Sequence, residues 1–309
     1  MARQEITVGV IGLGLIGGSA ALRLREQNFA RTIIGFDKNE SHMHDALALG
    51  IIDEECTFES LCEWADLIIL AIPVNSALKV LPNVLGRITP STVVVDFGST
   101  KQKICTLADS FPNRQQFVAC HPIAGTENTG PKAAFAELYP DKVNIVCNQE
   151  DSSEHAIGVA SKMTEALGMR IKFMDSSSHD RHIAYVSHMS HISSFILGQT
   201  VLEVENDEKN IFDMAGSGFA STVRLAKSSP EMWAPIFTEN ADNILLVLDR
   251  YIANLHKFRG LIKDGKEIEL NKLMTETNVI RKVLEERPAP VDDYTEDRQT
   301  EISQLANKQ

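Results

Sequence analysis

The chain lacks most of the features that announce a setting outside the cytoplasm. Among 309 residues there are five cysteines, an odd number, and Cys56, Cys62, Cys105, Cys120 and Cys147 form no CxxC pair. That argues against a disulfide framework and against a zinc site, and it points to reduced thiols in the cytoplasm. Positive charge is scarce: 30 Lys and Arg against 42 Asp and Glu leave a net charge of −12. A broad nucleic-acid surface needs the opposite balance, so an anionic ligand would have to be held by local positive groups against the average field. Long apolar runs are missing too. Leu67–Val74 and Ile244–Leu248 fall far below the roughly 20 residues of a membrane span. The apolar stretch after Glu5 is dense in glycine and reads as a strand and loop, not a signal peptide.

What remains is globular material, 43% hydrophobic and 23% charged, long enough for one large or two ordinary domains. Two rhythms divide it. Up to about residue 174, short β-rich runs alternate with helical stretches. The runs are Ile6–Ile11, Thr32–Phe36, Leu67–Ile72, Thr92–Asp96, Phe117–Cys120, Val143–Cys147 and Arg170–Phe173, with helices such as Ser19–Gln27 and Glu154–Leu167 between them. Continuous apolar runs suit parallel strands buried on both faces, and the alternation predicts an α/β, doubly wound parallel sheet over 1–174.

From about Ser178 the strand signal stops, and 175–309 reads as all-helical. Helices are predicted over 180–204 and 219–227. Ser229-Pro230-Glu231 opens another, with an N-cap, a proline at the first position and an acid in the first turn. It carries Trp233, Phe237, Ala241, Ile244, Leu248, Ile252 and Leu255 in near-heptad spacing until Gly265. Such a stripe is either core or a seam between two subunits. A last helix is predicted over 267–286, and the polar stretch from about 288 to 309 is expected to be frayed. No room is expected for an additional C-terminal regulatory domain.

Two features carry chemistry. Gly12-Leu13-Gly14-Leu15-Ile16-Gly17 follows a strand and opens a helix, the context in which a GxGxxG cradles a pyrophosphate at a helix N-terminus. Asp37, 20 residues beyond Gly17 at the end of the second strand, is placed to accept ribose hydroxyls and to repel a 2′-phosphate, favouring NAD over NADP; Lys38 beside it opposes that preference. The second feature is His121, at the end of the run Phe117–Cys120. Ligands gather at the carboxyl ends of strands in such a sheet, so an imidazole there can take the proton that leaves when a hydride leaves.

The motifs together resemble the prephenate/arogenate dehydrogenase family over most of the chain. The matching segments are Gly12–Ser19, Asp96–Lys101 (DFGSTK), His121–Glu127 (HPIAGTE), His179-Asp180, Ser187–His191 (SHMSH) and Gly218–Trp233. The resemblance implies a Rossmann-like half followed by a helical half for substrate binding and dimerisation, NAD as cofactor, a homodimer, and oxidative decarboxylation of a cyclohexadienol. It assigns His121 as the base and Ser99 as the residue that orients the histidine and the nicotinamide. Cofactor contacts are then Gly12, Gly14, Leu15, Ile16, Gly17, Asp37, Ile72, Pro73 and Ser99. Arg224, whose planar fork matches a carboxylate, becomes the substrate clamp. Thr126, His188 and His191 line the substrate site, and Glu127, Asp180 and Trp233 form a polar gate.

Alternatives stand beside these readings. His188 and His191 share a helix face with Ala184 and Phe195, which admits a metal site or satisfied core histidines as well as substrate contact. No acid is placed to complete a metal set, and none is expected. Some relatives have a lysine where this chain has Ala220, so prephenate and arogenate both remain open at the substrate's far end. A β-hydroxyacid-type dehydrogenase and a nucleotide-binding regulator without turnover are the more distant readings.

Overall fold

A computed structural model of the chain describes residues 6–207 and 211–285. Its sheet is built from β1 (Thr7–Ile11), β2 (Thr32–Phe36), β3 (Glu54–Glu55), β4 (Leu67–Leu70), β5 (Val93–Asp96), β6 (Phe117–Pro122), β7 (Val143–Cys147) and β8 (Arg170–Met174). The strand order is β3-β2-β1-β4-β5-β6-β7-β8. Alternation within each strand sorts its side chains between two cores. Leu67, Ile69, Val93, Val95 and Val118 face one core; Ile68, Leu70, Val94, Phe117 and Ala119 face the other. That explains why β4 and β5 read as unbroken apolar runs. The pair Glu54-Glu55, which carries no apolar signal, was not anticipated as a strand.

The helices that cover the sheet are α1 (Leu15–Glu26), α2 (Glu40–Ala48), α3 (Phe58–Trp64), α4 (Val74–Leu85), α5 (Gln102–Ala108) and α6 (Glu154–Ala166). The sheet is mostly parallel, as expected, with one antiparallel pair. β7 runs antiparallel to β6, with Cys120 opposite Val146 and His121 opposite Ile145, and β8 is parallel to β7. Between β6 and β7 the chain has two short 3₁₀ turns, Pro131–Ala133 and Ala136–Leu138, and no crossover helix. A parallel return requires such a crossover; an antiparallel one does not.

Beyond β8 come α7 (Ser176–Ile183), a π-helical turn (Ala184–His188), α8 (Met189–Asp207), α9 (Ser217–Thr222), α10 (Pro230–Glu239), α11 (Ala241–Lys263), α12 (Glu267–Thr277) and α13 (Val279–Glu285). The helix predicted over 180–204 is therefore longer and interrupted by the π turn. The segment 219–227 divides into α9 and a 3₁₀ turn, Arg224–Lys227. Ser229 and Pro230 open α10 as expected, although the serine side chain makes no capping bond. The long helix predicted from there to Gly265 is two. It breaks at Asn240 (φ −111°, ψ 28°), whose amide donates to the Asp180 carbonyl at 2.7 Å and lies 3.2 Å from His188 Nδ1. Gly265, at φ +61°, ends α11 in the left-handed conformation that glycine tolerates. The 267–286 prediction becomes α12 and α13, and the stretch 288–309 lies outside the described residues.

A small apolar cluster joins the halves: Val74 of α4 packs with Trp233 and Ile236 of α10 and with Phe195 of α8. On α11 only Ile244 and Val247 are buried.

Candidate active site

The glycine loop sits where β1 meets β4, between strands whose connections wind in opposite directions. Gly12 has φ +98°, and a Cβ there would collide with the Ala71 carbonyl; one at Gly17 would collide with the Gly12 carbonyl. Those two glycines are demanded by the protein's own packing. Gly14 differs, since a Cβ there would meet nothing within 4 Å, so its openness serves whatever approaches from outside. Gly14 is the N-cap of α1 and supplies no side-chain cap, which leaves the first-turn amides of Leu15, Ile16 and Gly17 for an anion. The residues present fit a dinucleotide. Ile72 abuts Gly12, and Pro73 is the N-cap of α4, so both border the same crevice. Asp37 anchors the loop by accepting the Leu13 N–H at 2.9 Å through Oδ2 and the Asn39 N–H at 2.9 Å through Oδ1. His42 Nδ1 is 3.5 Å from Oδ2.

His121 stands at the carboxyl end of β6 and is 8% exposed. Its Nδ1 is 2.8 Å from His179 Nε2. Burial, followed by the neighbouring His179, Lys101 and His188, holds its pKa well below the ordinary histidine value, so the ring is neutral at physiological pH. Lys101, fully buried, pairs with the Asp96 carboxylate and donates from Nζ to the Cys120 carbonyl at 2.7 Å. Burial alone would lower the Lys101 pKa, but the Asp96 charge outweighs it and the net shift is upward. The ammonium thus stays charged and holds the residue immediately before the histidine. Ser99 is half-buried in the turn after β5; Lys101, not Ser99, occupies the N-cap position of α5.

The helical half brings the remaining groups. His191 stacks on Trp233, with ring centroids 3.5 Å apart and planes at 25°, and its Nδ1 donates to the Ser187 carbonyl at 3.0 Å. Burial and then the charge of Arg224 lower its pKa, which places Arg224 within electrostatic reach. Arg224 itself is exposed and makes no ion pair among the described residues. His188 is 1% exposed, packs edge-on against Trp233, and has its pKa lowered to about 4, mainly by burial. The π turn shifts the register between His188 and His191, yet both rings meet the same indole. Thr126 accepts the Asn128 N–H at 3.2 Å, and Glu127 is exposed.

Asp180, expected at the gate with Glu127 and Trp233, is buried. Its carboxylate is 2% exposed, accepts the Lys101 and Gln102 N–H groups at 2.7 and 2.9 Å, and lies 2.8 Å from His179 Nδ1. A carboxylate placed over the first amides of α5 is held there by the helix end. His179, Lys101, Asp96 and Asn240 were given no role from the sequence. The available signal was a charged residue at each end of the DFGSTK segment and a second histidine beside Asp180. Among the described residues no three His, Cys, Asp or Glu side chains are grouped to hold a metal ion.

A glycine-cradled nucleotide crevice, a buried neutral histidine at a strand end and a helical half closing over them define a nucleotide-dependent oxidoreductase. Comparison with known proteins makes this specific. The nucleotide-binding domain of prephenate dehydrogenase matches residues 20–173, and the dimerization domain of that enzyme matches residues 175–276. The chain belongs to the prephenate dehydrogenase family. It is 34% identical to the cyclohexadienyl dehydrogenase of Zymomonas mobilis over 84% of this chain and 89% of that protein. Its structure matches the A. aeolicus prephenate dehydrogenase solved with hydroxyphenyl propionate and NAD+ at a TM-score of 0.85 and 29% identity, covering 92% of this chain and all of that one. The Synechocystis arogenate dehydrogenase matches at 0.73 and 27% identity, over 90% of this chain and 100% of that one.

Proposed function

We propose that the protein is an NAD-dependent, cytoplasmic, homodimeric enzyme that converts prephenate to 4-hydroxyphenylpyruvate in the route to tyrosine. The observation that carries this reading is His121, neutral and buried at the strand end beside the nucleotide crevice. Bound NAD would supply the hydride acceptor, held by the amides of Gly14 to Gly17, by Ile72 and Pro73 at the crevice wall, and by Asp37 at the ribose. As the hydride leaves the carbinol carbon, His121 takes the hydroxyl proton and the carbon becomes a carbonyl. Loss of carbon dioxide sends an electron pair into the ring, and the proton on His121 returns to the ring oxygen as the phenol forms. Arg224 holds a substrate carboxylate, His191 and Thr126 contact the ring, Ser99 orients the base, and Glu127 and Trp233 border the entrance. General-base assistance of this kind contributes about 10²–10⁴-fold.

The five cysteines, all free, fit a reducing compartment. No helix among the described residues is long and apolar enough to cross a membrane. A second reading, arogenate as substrate, is favoured by the exposed Ala220 on α9, which leaves the far end of the substrate without a fixed positive partner. Steady-state kinetics on prephenate and arogenate, each with NAD and NADP, separate the two. Prephenate with NAD is expected to give the highest kcat/KM. Preference for arogenate would transfer the assignment, preference for NADP would remove the role of Asp37, and turnover of neither substrate would overturn both readings.

A further inference from the structure

His121 is the first of three buried groups in line. His121 Nδ1 lies 2.8 Å from His179 Nε2, and His179 Nδ1 lies 2.8 Å from Asp180 Oδ1. Asp180 ends the line at the backbone N–H groups of Lys101 and Gln102, 2.7 and 2.9 Å away. The three residues are 8%, 1% and 2% exposed, so water does not compete for these bonds.

Proton positions follow from the acceptor end. Both oxygens of the Asp180 carboxylate accept a backbone N–H, and toward His179 the carboxylate accepts as well. His179 must then present Nδ1–H to it, and a neutral imidazole protonated at Nδ1 has a lone pair at Nε2. That lone pair faces His121 Nδ1, so His121 must donate from Nδ1. Its own lone pair is thereby placed on Nε2, the ring nitrogen to which no described residue is bonded.

We infer that His179 and Asp180 are positioning residues that fix His121 in the Nδ1–H tautomer, leaving Nε2 to receive the substrate's hydroxyl proton. This rests on the proposed role of His121 as base. Without the line, the imidazole would distribute between tautomers, and the wrong one would aim an N–H at a hydroxyl that must lose its proton. The arrangement also divides one function between the halves. The base lies on β6 and its orienting groups on α7, while Asn240, at the break before α11, holds the Asp180 carbonyl from the other side.

The anion at Asp180 has a further effect. The charged and titratable groups around His121 are Lys101 with its partner Asp96, His188 from the π turn, and His179 with Asp180 from α7. Of these, Asp180 is the anion reached through hydrogen bonds when His121 takes up a proton. Removing it leaves Lys101 to oppose the imidazolium.

The test uses the full-length protein with ¹⁵N-labelled histidine. Long-range proton–nitrogen spectra, assigned with His121→Asn and His179→Gln, report which ring nitrogen carries the proton. The expected result is His121 and His179 both protonated at Nδ1 and bare at Nε2. His121 protonated at Nε2 overturns the inference whatever the rates are. In kinetics, His179→Gln keeps an acceptor near the position of Nε2 and is expected to retain kcat within about tenfold. His179→Leu offers none and is expected to lose about 10²-fold or more in kcat with KM unchanged. Equal losses in the two variants, or no loss in the leucine variant, contradict the inference. Asp180→Asn is expected to move the acid limb of the kcat/KM profile to lower pH, and an unmoved limb also counts against it. Should the leucine variant not fold, the spectra of the parent protein still decide. Normal turnover by His121→Asn would remove the base reading but leave the tautomer measurement standing, so the two failures are distinguishable.

Discussion

The two halves of the molecule bury their apolar residues in different ways. In the α/β half, β4 and β5 lose nearly all exposure on both faces, and one chain supplies both cores. In the helical half, α11 buries Ile244 and Val247 and leaves Leu245, Leu246, Ile252, Leu255 and Ile262 between 41% and 60% exposed. Ile268, Val279, Ile280, Val283 and Leu284 continue that exposed apolar surface along α12 and α13. At about 25 cal/mol for each Å² withdrawn from water, covering such a face stabilises strongly, and it lies in the region that matches a family dimerization domain. The first half is complete in one chain, whereas the second keeps an apolar face that the proposed homodimer would cover.

Breaking that second surface gives the largest expected effect. Ile252, Leu255 and Ile262 are exposed along α11. Leu255→Glu combined with Ile262→Glu is expected to convert the proposed dimer fully to monomer in sedimentation velocity. An unchanged dimer would place the seam on another face. A smaller effect sharpens how the halves share the site. Arg224→Ala removes a charge-assisted hydrogen bond worth about 1.5–3 kcal/mol, so KM is expected to rise roughly ten- to hundredfold with kcat less affected. An unchanged KM would move the carboxylate clamp elsewhere.

The same contrast explains what could be read in advance. Parallel strands announce themselves as apolar runs, and the glycine loop, Asp37 and His121 were legible because strand ends in such sheets are where ligands bind. The direction of β7 was not, since nothing local in Val143–Cys147 distinguishes a parallel from an antiparallel partner. Helical periodicity found most of the second half but missed the break at Asn240. That residue looks like one more polar position on a helix until Asp180 and His188 are packed against it. The burial of Asp180 and its link to His179 are illegible for a similar reason. Their contacts come from residues 58 to 79 positions away in the chain, at Lys101, Gln102 and His121, and no spacing rule reaches that far. Lys101 resembles a surface residue in sequence and is fully buried in the fold.

The central claim is that His121 Nε2 receives the substrate's hydroxyl proton, and His121→Asn tests it most directly. Asparagine fills similar space and can still hydrogen-bond, but it does not act as a base near neutral pH. With prephenate and NAD at saturation, the account predicts that kcat falls about 10²–10⁴-fold while KM is largely unchanged. Turnover close to that of the parent enzyme would contradict it.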